Sequence, residues 1–203
     1  MKNNTALMLL VTAGLTLLAA GIYFSIPQTG LAQEAQSLQG AVNENGKAFD
    51  EDPLIIKFSE LDGAGTNFCA GPDILENNSA DRLQGACCGK MDFHRYAEQV
   101  EGLKKYAYIE QIPPDPYDIS RELADELLEY QKTIQLTAEQ QGIYDDAVKM
   151  SHEGGPCCCK CWRWYAFEGL AKYLITEHGF TAEQIAEVWD LEDGCGGEGH
   201  AHE

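Results

Sequence analysis

Basic residues are scarce: 14 Lys and Arg stand against 33 Asp and Glu, for a formal net charge of -19. Nucleic acid and anionic lipid surfaces both demand Lys/Arg patches, so that balance argues against either as a partner, whereas it suits attraction of cations. Catalytic signatures are missing as well. There is no P-loop, no Gly-x-Ser-x-Gly and no His-Glu-x-x-His. Cys158-Cys-Lys-Cys161 has Cys-x-x-Cys spacing, but no strand pattern precedes it, so a thioredoxin-like frame is absent in form. No catalytic residue is assigned. Charge is also missing between Lys2 and Glu34, and no cysteine follows that stretch closely, which argues against bacterial lipoprotein attachment.

What fills the charge-free stretch is an apolar run over residues 6–24. A helix of roughly 20 apolar residues is long enough to span a bilayer. Gly30-Leu31-Ala32 has the small-x-small form of a signal-peptidase site. Residues 1–32 thus read as a signal peptide or an N-terminal membrane anchor. Cleavage would release the chain, and no cleavage would tether it to the membrane. Either outcome predicts an extracytoplasmic location for the rest, secreted, periplasmic or membrane-anchored. Residues 33–52 are rich in Gln, Asn, Gly and Ala and read as a flexible spacer. Residues 53–194 are long enough to bury a real core, so cysteines are not needed merely to staple a tiny fold. Residues 195–203 form a Cys/His tail.

Within the domain, Leu54-Ile-Ile-Lys-Phe58 is β-prone and is expected as a short strand. Residues 59–91 are glycine-rich and loop-like. The remainder reads as helical. Asp92 caps a helix running to about Tyr106, with Phe93, Tyr96, Ala97, Val100 and Leu103 on one face. The prolines of Ile112-Pro-Pro-Asp-Pro-Tyr117 exclude helix and suggest an extended linker. Ser120 caps the next helix, with Leu123, Leu127, Leu128 and Ile134 facing inward. Thr137-Ala-Glu-Gln140 and Thr181-Ala-Glu-Gln184 are capping boxes that open two more. Pro156 suits a first helical position, and Gly179 a left-handed terminator, around a stripe of Trp164, Phe167, Leu170, Ala171, Leu174 and Ile175. The fold class is mainly α: a small helical domain with Cys-rich loops behind an N-terminal membrane helix or signal peptide.

The chemistry is in the eight cysteines. Pro156-Cys-Cys-Cys-Lys-Cys161 packs four thiols into five residues. On a helix starting at Pro156 they would lie in its first two turns, where free amides and the helix dipole lower a thiol's pKa. Cys157 and Cys161, four apart, would share a face. Thiolates favour soft ions such as Cu(I) and Zn(II). Cys87-Cys88 lies between Gly85 and Gly89, and vicinal thiols rarely close a disulfide on each other. Cys195, His200 and His202 sit in a glycine-rich tail of a kind that chelates metal. A closed four-thiolate site needs partners from beyond one helix, so Cys87 or Cys88 is expected close to Cys157, Cys158 or Cys161. The candidate ligands are Cys157, Cys158, Cys159, Cys161, Cys87, Cys88, Cys195, His200 and His202. If the cysteines are of mixed use, Cys69 is the first candidate for a structural role. His94, His152 and His178 fit surface or capping roles, and Trp162, Trp164 and Trp189 core or cluster shielding.

Residues 156–161 resemble the motif of a bacterial exported family named for Pro-Cys-Tyr-Cys-Gly-Cys (PCYCGC), matching as Pro-Cys-x-Cys-x-Cys. Tyr144-Asp-Asp-Ala-Val148 is similar to the family's Tyr-x-x-Ala segment, and His178-Gly-Phe-Thr-Ala-Glu-Gln-Ile185 to its terminal helix. The likeness covers roughly residues 140–195; Cys158 and Lys160 stand where the family has Tyr and Gly. It implies an exported metal-binding protein with Cys157, Cys159 and Cys161 among the ligands. Taken together, the sequence predicts extracytoplasmic binding of copper, zinc or mercury for sequestration or delivery. The ion is the partner, and an uncleaved leader adds the membrane. Thiol–disulfide redox chemistry and a disulfide-stapled ectodomain are the alternatives.

Overall fold

The computed structural model describes residues 52–197. The expected leader, most of the spacer, His200 and His202 lie outside the described residues. Within them the chain is mainly helical, with seven α-helices and one two-stranded sheet. No helix among the described residues is long and apolar enough to cross a membrane.

Helix α1 is Pro53–Asp62, where a strand was expected. Its start explains the difference. The Asp52 carboxylate accepts from the Leu54 amide at 2.9 Å, and Pro53 occupies the first turn. An N-cap of this kind is worth about 1 kcal/mol. A strand would have put Leu54, Ile56 and Phe58 on one face. The helix instead groups Leu54, Phe58 and Leu61 against Met91, Tyr96 and Tyr117, leaving Ile56 exposed. A short helix α2, Ile74–Asn77, follows. Strand β1, Arg82–Gln84, pairs antiparallel with β2, Asp118–Ser120, setting Leu83 opposite Ile119, both buried.

Between the strands, α3 spans Phe93–Leu103 and tightens into a 3₁₀ turn at Lys104–Tyr106. Asp92 caps it through the Arg95 amide, as the sequence predicts. The proline-rich segment is not helical, but neither is it a free linker: Ile112 and Tyr117 are buried and the segment runs into β2. Ser120 then caps α4, Arg121–Thr133. Helices α5, Ala138–Met150, and α7, Ala182–Leu191, both open with the expected reciprocal capping boxes.

Helix α6 is Trp162–Glu177 and forms the spine of the core. It packs on α4 and touches α5 and α7. Gly169 permits the first of these contacts, because a Cβ there would stand 2.0 Å from the Leu127 carbonyl oxygen. Trp162, Phe167, Leu170 and Leu174 are fully buried with Leu127, Ile185 and Trp189. Trp189 keeps its indole N–H satisfied on the Phe167 carbonyl at 3.0 Å.

The start of α6 corrects the sequence reading. Pro156 does not open the helix; residues 156–161 are irregular, and Cys161 is the N-cap. Gly154 and Gly155, both at positive φ, turn the chain after α5. Successive side chains on a helix point about 100° apart, so four thiols there would splay. The irregular backbone lets them converge.

Candidate metal centre

Four non-helical segments carry the cysteines, and each is pinned by backbone bonding. The segment bearing Cys69 is fixed through Asn67 and Ala70. The Asn67 side chain donates to the Gly85 carbonyl at 2.7 Å and accepts from the Trp162 indole at 3.1 Å, while the Trp162 amide donates to the Ala70 carbonyl at 2.7 Å. Asn67 thus joins the Cys69 loop, the Cys87 loop and the head of α6.

The sequence puts Cys195 in a glycine-rich tail, a composition that suggests a loose segment. It is held instead, and Cys195 is buried. Three side chains grip carbonyls just before it: Arg95 donates to Asp190, Arg163 to Glu192 and Gln99 to Asp193. In turn, the amides of Cys88 and Gly89 donate to the Cys195 carbonyl at 3.3 and 2.8 Å, and the Cys87 amide to the Gly194 carbonyl at 3.1 Å. Gly196 sits at φ 82°, where a Cβ would meet the carbonyl oxygens of Gly89 and Lys90 within 2.8 Å. The glycines that read as looseness in the sequence are what let these two loops touch.

All eight cysteines are free thiols, and every one belongs to a sulfur cluster. Cys158 and Cys195 are 3.1 Å apart, Cys157 and Cys195 3.5 Å, Cys69 and Cys159 3.5 Å, Cys87 and Cys88 3.6 Å, Cys87 and Cys195 3.8 Å, and Cys157 and Cys161 3.9 Å. Four triads lie with all sulfurs mutually within 4.8 Å: Cys69–Cys88–Cys159, Cys87–Cys88–Cys195, Cys157–Cys158–Cys195 and Cys157–Cys159–Cys161. Tetrahedral thiolates around one ion stand about 3.8 Å apart when the metal–sulfur bond is about 2.3 Å, whereas a disulfide needs about 2 Å. The spacing matches the first arrangement.

The Cys87–Cys88 loop does approach residues 157–161: Cys87 bonds to Cys161 and Cys88 shares a triad with Cys159, but among the described residues no triad joins Cys87 or Cys88 to Cys157, Cys158 or Cys161, and Cys195 stands in separate triads with each side. Cys69, the first candidate for a structural role, joins the cluster through Cys88 and Cys159. Only the folded loops bring it there; its isolated position in the sequence carries no sign of it. Two of the described histidines are engaged away from the sulfurs. His94 lies 3.3 Å from Glu98, and His152 pairs with Asp190 at 3.5 Å.

Electrostatics around the cluster centre on Cys161 and Arg163. The thiols of Cys157 and then Cys87 bond to the Cys161 sulfur, and with the Arg163 amide they hold its pKa far below the ordinary thiol range despite burial. Cys157, as the giving partner, is pushed up. Sequence reasoning missed Arg163 altogether. Its guanidinium is fully buried, lies over the rings of Phe167 and Trp162 at 4.8 and 5.5 Å, and donates only to the carbonyls of Pro116 and Glu192. Burial works against its charge, and negative charge on Cys87, Cys157, Glu192 and Cys195, in that order, works for it. Glu192 is also buried, but neither carboxylate oxygen has a hydrogen-bond partner, and burial raises its pKa well above the usual range.

Comparison of the chain with protein-family models, with curated proteins and with solved structures finds no match. The reading of the centre therefore rests on its own geometry: groups of thiols that could hold a metal ion.

Proposed function

We propose that this protein sequesters or delivers a soft metal ion, Cu(I) in the first instance, through a thiolate cluster built from its cysteines. One observation carries the reading: all eight cysteines, from four separate segments, converge as four triads that share sulfurs. Cys88, Cys157, Cys159 and Cys195 each belong to two triads. A sulfur common to two three-sulfur sites suits a bridging thiolate, as a cluster of several Cu(I) ions uses. A single zinc ion would need only four unshared sulfurs.

Arg163 supports the same reading. Burying a cation costs several kcal/mol even after relaxation. Its two carbonyl bonds return about 1.5–3 kcal/mol each at best. Metal binding would turn the neighbouring Cys87, Cys157 and Cys195 thiols into thiolates, which with Glu192 supply negative charge beside it, so the buried cation fits a metal-loaded cluster. The likeness of residues 156–161 to the exported PCYCGC family points the same way. So does the apolar run of residues 6–24, which implies that the ion is met outside the cytoplasm.

The test is anaerobic titration of the reduced full chain with Cu(I), following thiolate-to-copper charge transfer and measuring metal content against thiol count. More than one copper per chain, with all eight thiols protected from alkylation at saturation, is the expected result. Catalytic reduction or isomerisation of a model disulfide without metal uptake would overturn it in favour of redox chemistry.

A further inference from the structure

The four triads differ in exposure. Cys157, Cys161 and Cys195 are 3, 3 and 8 % exposed, and every triad but one contains at least one of them. The exception is Cys69–Cys88–Cys159, in which Cys69 and Cys88 are exposed and Cys159 is half-buried. Two of its sulfurs are shared inward. Cys159 also belongs to the triad with Cys157 and Cys161, and Cys88 to the triad with Cys87 and Cys195. Beside Cys88 lies a surface cavity of about 500 Å³, walled also by Asp62, Ala64, Ala86, Gly89 and Lys90. That is room for a small molecule, and its walls offer one carboxylate and one ammonium.

We propose that Cys69–Cys88–Cys159 is the exchange site through which metal enters and leaves, receiving Cu(I) from a thiol carrier of low molecular weight seated in the cavity beside Cys88. The inference rests on the function proposed above and adds a direction to it. The step is ligand substitution. The carrier's sulfur–copper bond breaks as bonds to Cys88, Cys69 and Cys159 form. Copper remains Cu(I), and no electron moves. The protons released by the three thiols go to the departing carrier thiolate and to buffer. The ion then moves inward one sulfur at a time. Because Cys159 and Cys88 already belong to the next triads, it is never released to solvent. Cys69 is the one member of the port that takes no part in any inner triad. Its loss should therefore act on rate more than on capacity.

The experiment uses the full chain, reduced and anaerobic, with Cu(I) supplied as its glutathione complex and withdrawn by a Cu(I) chelator. Stopped-flow absorbance of the thiolate–copper band gives both rates. Cys69→Ser should slow uptake and withdrawal alike by about tenfold, since one of three linked ligands is lost, while the copper retained at equilibrium falls by no more than about one ion. Cys161→Ser should lower the copper retained. A second measurement needs no variant. Pulsed alkylation of the wild-type chain during loading, with each cysteine's rate divided by its rate in the copper-free chain, should find Cys69, Cys88 and Cys159 protected before Cys157, Cys161 and Cys195. Wild-type uptake with an unchanged rate in Cys69→Ser, or protection of the buried three first, would overturn the port alone. A wild-type chain that takes up no copper would overturn the proposed function and the port together.

Discussion

At the scale of single residues, two buried ionisable groups that the sequence does not advertise border the centre. Arg163 holds positive charge against the sulfurs and grips the Glu192 carbonyl. Arg163→Met keeps much of the apolar stem but removes the cation. Without it the thiols lose a proton less readily, so protons compete with metal at higher pH. The pH at which copper is released should shift upward relative to wild type, as read from the charge-transfer band in an acid titration; an unmoved midpoint would show that Arg163 is structural only. Glu192 behaves in the opposite sense. Its carboxyl is buried, without hydrogen-bond partners, and raised in pKa. The folded state therefore keeps its proton to higher pH than the unfolded chain does. That contribution to stability is full below the unfolded value near 4.5 and is lost as pH rises through the folded value. Glu192→Gln should stabilise the apo protein at pH 7 by about 1–2 kcal/mol, measured by urea denaturation, and flatten the fall in stability above pH 4.5. Asp118 has the ordinary sign. Burial alone would raise its pKa, but Arg82 and Lys57, each 2.5 Å away, outweigh burial and lower it. It ties α1 to the sheet above the unfolded value of 3.8 and loses that hold as pH falls through the depressed folded value.

Elements decide where the sulfurs point. Helix α6 contributes its N-cap and first-turn amides, while the irregular residues 156–161 fold the thiols together ahead of it. The close crossing of α4 and α6 anchors that helix. Gly169→Ala puts a Cβ against the Leu127 backbone, which cannot swing aside as a side chain would. It should destabilise the fold by about 2–3 kcal/mol, seen as a lower urea midpoint. Gly196→Ala tests a different element. The φ of 82° and the carbonyls within 2.8 Å make an alanine there cost about 1–3 kcal/mol locally. Because residues 194–197 dock Cys195 onto the Cys87 loop, copper affinity should drop while the helical far-UV signal stays intact. Equal loss of both would show that the docked segment is needed for the fold itself.

For the molecule as a whole, metal and folding are linked. An ion held only by the converged loops binds the native state and not the open chain, so each tenfold excess over its dissociation constant adds about 1.4 kcal/mol of stability. Cu(I) should therefore raise the thermal midpoint of the reduced protein, and the gain should disappear on acidification as protons reclaim the thiolates. The placement proposed from the leader has its own check. A thiol reagent unable to cross membranes should label the cysteines in intact cells, and labelling confined to lysates would refute an extracytoplasmic site.

The sequence by itself determined the mainly helical class, the caps at Asp92, Ser120, Thr137 and Thr181, and the apolar stripe of α6, because caps and helical periodicity act within a few residues. It also marked the cysteine runs as the chemistry, since thiols so close together have few structural uses. It misread Leu54–Phe58, where an N-cap and a helical face outweighed β propensity, and it began α6 at Pro156, several residues early. Only the tertiary structure decided that Cys195 is docked rather than free, that Cys69 joins the cluster, and that Arg163 lies buried beside it. Each of these depends on loops 18 to 108 residues apart in sequence meeting through carbonyls, amides and sulfurs. No local pattern encodes such a meeting, because the free energy that selects it comes from the packed helices that bring the loops together.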